Sequence, residues 1–266
     1  MEMSVKNRYD VAKMSSSEGL FSKGFYYLNA ERTGPRNYQT INSKLVDGCG
    51  VYGENTIHLL SMLGPSKVKE SKCFGLDENK KVGTFSKQVE YWMDYIIPGI
   101  EINADDMTEL RISKMSLRQP ALDTGFLSPY NFGFGISYVL PIVLTGLLAE
   151  SGSVFLVENP EAHLHPKGQS HIGYFLAIMA LSGVQVIVET HSEHVLNGIR
   201  IAALKNAMKP EDISINFFSV SVCGAEAKHK VENIPLNDRM DLEAWPEGFL
   251  DQEEEDLKTL RELRRR

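Results

Sequence analysis

Two apolar runs, each ending on a cluster of acids and histidines, constrain this chain more than any other feature. Val154-Phe155-Leu156-Val157 leads directly into Glu158-Asn159-Pro160-Glu161-Ala162-His163-Leu164-His165-Pro166. Val184 to Val188 leads into Glu189-Thr190-His191-Ser192-Glu193-His194. Short continuous apolar runs read as strands buried on both faces, the habit of parallel sheets. Between them, Ile172, Phe175, Leu176 and Met179 have helical spacing after Pro166. Val195, Leu196, Ile199, Ala202 and Ala203 repeat that spacing after the second run. Strand–helix–strand–helix predicts an α/β fold with parallel strands in the middle. In such sheets the ligand crevice lies outside the carboxyl ends of the strands. Two neighbouring strands therefore deliver carboxylates and imidazoles to one edge.

The rest of the chain supplies a frame for that pair. Phe25-Tyr26-Tyr27-Leu28 reads as another short buried strand. Residues 1–23 are polar and predicted to fray. Residues 29–53 read as loop, with Gly34-Pro35 and Gly48-Cys49-Gly50 as turns. A short helix is expected to end at Leu63, and residues 64–83 read as an exposed polar insertion. Val89, Trp92, Met93 and Ile96 mark a helix that Pro98 and Gly99 stop. Glu101 to Met115 alternates as one or two strands. A helix is expected from about Ile136 to Glu150, and strands over 213–220 and 228–234. Asp251 to Arg266 is a charged helix candidate, with acids first and arginines last, the order the helix dipole favours. Leu257, Leu260 and Leu263, or Leu250, offer a way to dock it on a surface; the plainer expectation is a solvated terminal helix. Trp245-Pro246-Glu247-Gly248-Phe249 reads as an anchored turn.

Composition excludes several classes. The chain has 266 residues, 42% of them apolar and 24% charged, as in a soluble globular protein. A net charge of −7 gives no global pull toward nucleic acid. Cys49, Cys73 and Cys223 have neither zinc nor redox spacing, so reduced cytosolic thiols are expected. No signal peptide is visible at the N-terminus, and a cytoplasmic location follows. The uncharged stretch from Thr124 to Ala149 is interrupted by Pro129, Asn131, Gly133, Gly135 and Pro141, so it reads as a buried helix behind a Gly-rich loop. No membrane partner is expected.

Five of the seven histidines lie between His163 and His194, in the same span as Glu158, Glu161, Glu189 and Glu193. Three chemistries fit. Ser192 and Glu189 suit helix capping. His163, His165, His191 and His194 suit a zinc hydrolase, although the chain lacks H-E-x-x-H and its inverted form. A nucleotide-hydrolysing site needs an acid at one strand end for Mg²⁺ and a histidine on the neighbouring strand for the γ-phosphate.

The wording ENPEAHLHPKGQS…VIVETHSEHVLNGIR resembles the Walker B strand and switch-histidine region of ABC-type ATPases of the SMC/RecF/OLD-like branch. FYYLNAERTGPR, the segment from Gly133 to Leu148, and the end INFFSV…WPEGF resemble a bacterial AAA-family subgroup with a C-terminal domain of unknown function. The resemblance implies a P-loop NTPase-like head, present here as a partial domain with a mostly parallel central sheet and flanking helices. It implies that residues 24–235 belong to the ATPase, with signature-like 131–150, Walker B 154–166 and switch histidine 184–200, and that 236–266 form an extension. By the same resemblance Glu158 is the Walker B acid that holds Mg²⁺. Asn159 stands where many relatives have the catalytic glutamate, and Glu161 is placed to reach the water instead. His165 takes the place of the aspartate in the loop at the dimer interface, and His191 is the switch histidine. Gly133, Gly135 and Ser137 resemble a degenerate signature, whose N–H groups would meet the γ-phosphate of an opposite subunit.

Two departures qualify that expectation. These 266 residues contain no G-x-x-x-x-G-K-[ST]. Gly64-Pro65-Ser66-Lys67 reads as a turn. An amide at Asn159 cannot serve as a base. The expected function is the C-terminal half of an ATPase head that needs ATP, Mg²⁺ and a Walker A half, works as a dimer, and is inactive alone. A DNA target or a nuclease or toxin effector is the expected partner, in DNA repair or anti-phage defence. The alternative is a non-catalytic interaction module. Arg32 and Arg36 read as loop arginines, most simply on the surface, with phosphate or DNA contact as their functional option.

Overall fold

Apolar runs and glycine turns place a three-stranded parallel sheet at the centre of the chain. The computed structural model describes residues 23–41, 47–74, 83–123, 125–223, 226–246 and 248–264. The expectation for residues 1–23 lies almost entirely outside them. Strands β1 (Phe25–Leu28), β5 (Val154–Glu158) and β6 (Gln185–Glu189) form the central sheet in the order β1-β5-β6. Both pairings are parallel, with Leu28 opposite Val157 and Glu158 opposite Glu189. Strands that pair in register turn alternate residues to the same face. Leu28, Phe155 and Val157 therefore share the inner face, and all three are buried. Tyr27, Leu156 and Ile187 share the outer row, where Ile187 is 43% exposed.

Six helices occur among the described residues: α1 (Thr56–Leu63), α2 (Phe85–Ile96), α3 (Phe134–Leu148), α4 (Pro166–Leu181), α5 (Glu193–Lys205) and α6 (Gln252–Leu263). Helix α3 is apolar almost all round and is buried from Val139 to Leu147. It spans 15 residues, and no helix of the described residues is long and apolar enough to cross a membrane. Trp92 of α2 and Phe175 of α4 meet edge to face at 4.9 Å inside the same core. Helices α4 and α5 cross with their backbones in contact. A Cβ on Gly173 would collide with the Val195 carbonyl oxygen, and one on Gly198 with the Ser170 carbonyl oxygen.

Outside the central sheet, pairing among the described residues is antiparallel. Strands β2 (Tyr38–Thr40), β4 (Ile112–Arg118) and β3 (Glu101–Met107) form one sheet, and β7 (Ile215–Cys223) with β8 (Glu226–Ile234) forms a separate hairpin. The alternation over 101–115 resolves into two strands. Strand β2 corrects the loop reading of 29–53; three residues are too few to show a period.

Three further expectations are corrected. The polar stretch after Leu63 is not simply exposed, because Val68 and Lys72 are buried. The Lys72 amine donates to the carbonyl of Gly146 at 2.7 Å and also to that of Ala149, closing the C-terminal end of α3. Residues 75–82 lie outside the described residues. Arg32 is not a surface arginine, being 3% exposed. The strands expected to be buried at 25–28 and 184–188 are the edges of their sheet among the described residues, so Phe25 is 46% and Ile187 43% exposed. The solvated reading of the terminal helix fits, since Leu257, Leu260 and Leu263 are 46%, 46% and 56% exposed. Phe249 is the anchor of its turn, edge to face with Phe217 at 5.4 Å, while Trp245 stays largely exposed.

Candidate functional site at the strand ends

The parallel register brings the two sequence clusters together. Glu158 ends β5 and Glu189 ends β6 directly beside it. Glu158 is half-buried, and each of its oxygens already accepts one bond. Tyr27 Oη donates to Oε1 at 2.9 Å, and the Ala30 amide donates to Oε2 at 3.1 Å. The Tyr27 phenol is pushed above its usual range, first by burial and then by the carboxylate it faces.

Beneath this acid lies Arg32. Its Nη1 donates to the carbonyls of Asn29 at 2.9 Å and Glu158 at 2.7 Å, and its Nη2 to that of Asn159 at 2.6 Å. The guanidinium sits 5.1 Å from the ring centre of Tyr138 on α3. Burial lowers its pKa to about 10, and it keeps its charge at neutral pH. One arginine thus ties β1, the end of β5 and α3 into a single unit.

The chain then turns sharply. Asn159 has φ 42° and His163 φ 62°, both left-handed. Asparagine tolerates that region better than most residues. The Asn159 amide donates to the Glu189 carbonyl at 2.9 Å, which extends the β5–β6 pairing by one residue. Its side-chain Oδ1 is buried with no donor. Glu161 reaches back to β6: Thr190 Oγ1 donates to its Oε2 at 2.7 Å and the His191 amide to its Oε1 at 2.9 Å. His191 is 83% exposed, with Nε2 3.2 Å from Glu189 Oε1. Ser192 caps α5 by accepting from the amides of His194 and Val195. Its hydroxyl donates to Gln169 Oε1 on α4 at 2.6 Å.

Glu161 and His191 are therefore joined directly, while Glu158 and Asn159 are held next to the same loop through the β5–β6 pairing and the Asn159 amide on Glu189. The N-terminus of α3 lies against the same loop. A Cβ on Gly135 would stand 2.9 Å from the His163 carbonyl, and Tyr138 meets the His163 ring at 4.5 Å. Gly133 is the exposed N-cap of α3. Ser137 lines a small cleft with Thr33, Arg36 and Gln39. His165 is exposed at the N-cap of α4, without a capping bond. Among the described residues no three His, Cys, Asp or Glu side chains are grouped to hold a metal ion, so the four-histidine zinc reading is not upheld.

Sequence reasoning missed Tyr27, Thr190 and Gln169. Tyr27 had a visible signal, a polar tip near the end of a buried strand. Gln169 had none, because its partner lies on another helix.

The family described as "AAA domain, putative AbiEii toxin, Type IV TA system" matches residues 21–197, which hold the central sheet and every residue of this site. The chain belongs to that AAA domain family. A second match, to a protein family of unknown function, covers residues 208–260 of this AAA-domain chain. No curated protein sequence matches it. Among solved structures, one described under "ATP-driven dimerization and DNA stimulated activation of SMC ATPases" is 10% identical, with a TM-score of 0.42, over 66% of this chain and 91% of that one. An SMC head bound to the C-winged helix domain of ScpA is 13% identical, with a TM-score of 0.40, over 59% of this chain and 44% of that one. An Smc head bound to a ScpA domain derived from Pyrococcus furiosus is 13% identical, with a TM-score of 0.39, over 68% of this chain and 37% of that one.

Proposed function

We propose that this AAA-domain chain is the C-terminal half of an ATP-binding and hydrolysing ABC-type head, completed by a segment that carries a Walker A loop. The observation that carries the reading is Glu158 at the end of β5 paired with Glu189 at the end of β6, whose carboxylate lies 3.2 Å from the ring of His191 in the loop that follows. The open sheet supports it. Strands β1 and β6 are both edges among the described residues, and the outer row from Tyr27 to Ile187 is incompletely covered. An exposed parallel edge is a place for further strands.

The residues fit a magnesium nucleotide. Mg²⁺ needs only one or two carboxylates, with phosphates and water supplying the rest. Glu158 keeps unused lone pairs beyond its two bonds, and the buried Asn159 Oδ1 is an acceptor awaiting a donor such as water. Magnesium, when bound, neutralises charge on the β- and γ-phosphates. In this reading Glu158 holds the cation and His191 donates to the γ-phosphate. Glu161 orients the attacking water in place of Asn159, and its bonds to Thr190 and His191 keep it aimed. Gly133, Ser137 and His165 face the nucleotide of a second copy, so that ATP closes a dimer; Gly135, buried against the His163 carbonyl of its own chain, instead lets α3 approach that loop. DNA or a nuclease or toxin effector in the cytosol is the target of the switch, in DNA repair or anti-phage defence.

A second reading, a non-catalytic interaction module, is favoured by one observation: the 266 residues hold no G-x-x-x-x-G-K-[ST]. The DNA upstream of the Met1 codon separates the two. The first reading expects a Walker A segment there, and phosphate release when that segment is co-expressed with this chain. Turnover is then expected to fall at least about a hundredfold in E158Q, the loss of a charge-stabilising group. Undiminished turnover in the triple variant E158Q/E161Q/H191A overturns the assignment. If no such segment exists and the chain takes up no ATP, the module reading stands.

A further inference from the structure

Helix α6 ends the described chain as a 12-residue helix whose described side chains are exposed. Its three leucines are about half exposed, and none of them belongs to the core. At about 3.6 residues per turn, positions three and four apart share a side. Glu253, Leu257, Leu260 and Arg264 follow that spacing, and so do Asp256, Leu260 and Leu263. One side therefore carries acids at its start, leucines through its middle and an arginine at its end. The two ends of this side are electrically opposite, and its centre is Leu260.

The sequence around Leu260 has a further property. Leu257 and Leu263 lie equally far on either side of it, and so do Asp256 and Arg264. A second copy of the same helix, laid antiparallel about a twofold axis through Leu260, places Leu260 on Leu260 once, and Leu257 on Leu263 and Asp256 on Arg264 twice each. A parallel copy places Asp256 on Asp256 and Arg264 on Arg264, and like charges face to face are unfavourable. A twofold axis makes such an interface self-complementary with no other partner.

We infer that the α6 leucine side is an interface for α6 of a second copy of this chain, paired antiparallel about Leu260. Two short helices bury well under the about 800 Å² per partner of a standard interface, so the pairing is weak and depends on concentration. It needs no nucleotide, which sets it apart from the ATP-closed dimer proposed above. Either can fail without the other.

The test uses the full chain without nucleotide or magnesium. Sedimentation of the wild type is expected to show a dimer whose share grows with concentration. L260E and D256R are each expected to weaken it about tenfold or more, and the doubly reversed D256R/R264D is expected to recover it to within about threefold. Because Leu260 and Asp256 are exposed, circular dichroism and the thermal midpoint are expected to stay at wild-type values. Geometry is read by mild oxidation with copper phenanthroline, measured above the wild-type background. L260C is expected to form a covalent dimer by itself. L257C and L263C are expected to cross-link when mixed and not when alone. A monomer at every concentration overturns the proposal, and so does L257C cross-linking to itself as readily as L260C, which marks a parallel pair.

Discussion

The Arg32 guanidinium holds the main-chain oxygen of Asn159 at 2.6 Å, at the point where that residue turns left-handed. A loop arginine of β1 thereby sets the backbone that follows the Glu158 carboxylate. Replacing it strands the carbonyls of Asn29, Glu158 and Asn159 without donors in a buried place. R32A is expected to lose about 3 kcal/mol of folding stability in denaturant unfolding, and R32K about half of that. Loss of less than about 0.5 kcal/mol in R32A contradicts a buried role.

Glu161 spans two loops, and its bonds predict local rigidity. In E161A the Thr190 hydroxyl and the His191 amide lose their acceptor. Hydrogen exchange of residues 190–192 is expected to quicken about tenfold or more, with α3 unchanged. Equal exchange in wild type and variant removes Glu161 from that role.

Close backbone contact between α4 and α5 predicts intolerance of one methyl group. G198A forces a Cβ into the Ser170 carbonyl, and backbone yields less readily than a side chain. A loss of about 3 kcal/mol is expected, or roughly 6–12 °C in thermal midpoint for a chain of this size. G133A, where a Cβ meets nothing within 4 Å, is the matched control.

Lys72 predicts a pH dependence. Burial, helped by the like charge of Lys69, pushes its amine down to about 8, against about 10.4 in an unfolded chain. Between those values the unfolded state binds more protons, so the Lys72 contribution to stability rises with pH. It is fullest above about 10.4 and falls away as pH drops through about 8. Cys49 acts in the opposite sense, since burial pushes its thiol up to about 11. The measurement is therefore the stability difference between wild type and K72M at each pH from 7 to 9.5. That difference is expected to shift in favour of wild type as pH rises; a flat difference contradicts the lowered amine.

Much of the site was legible because strand ends carry their own signal. The apolar runs 154–157 and 184–188 were legible as strands, and their parallel order follows from the helix between them; their burial was not, since 154–157 is mostly buried and β6 is a partly exposed edge. Glu158 beside Glu189 is then a consequence of register. The later strands were legible as strands, yet not as a separate hairpin, because alternation does not say which sheet a strand joins. Lys72 and Arg32 were misread for one reason. Local polarity suggested solvent, whereas each side chain finds main-chain oxygens from segments far along the chain.

What the sequence determined alone was local: the period of each apolar run, the turns between them, and the order of acids and histidines along the chain. Those depend on residues a few places apart. Tertiary structure decided what depends on distant neighbours. It buried Arg32 under Glu158, let Glu161 hold the His191 loop, and left the leucines of α6 uncovered. A side chain is buried or exposed according to what folds against it, and that is settled only when the whole chain has packed.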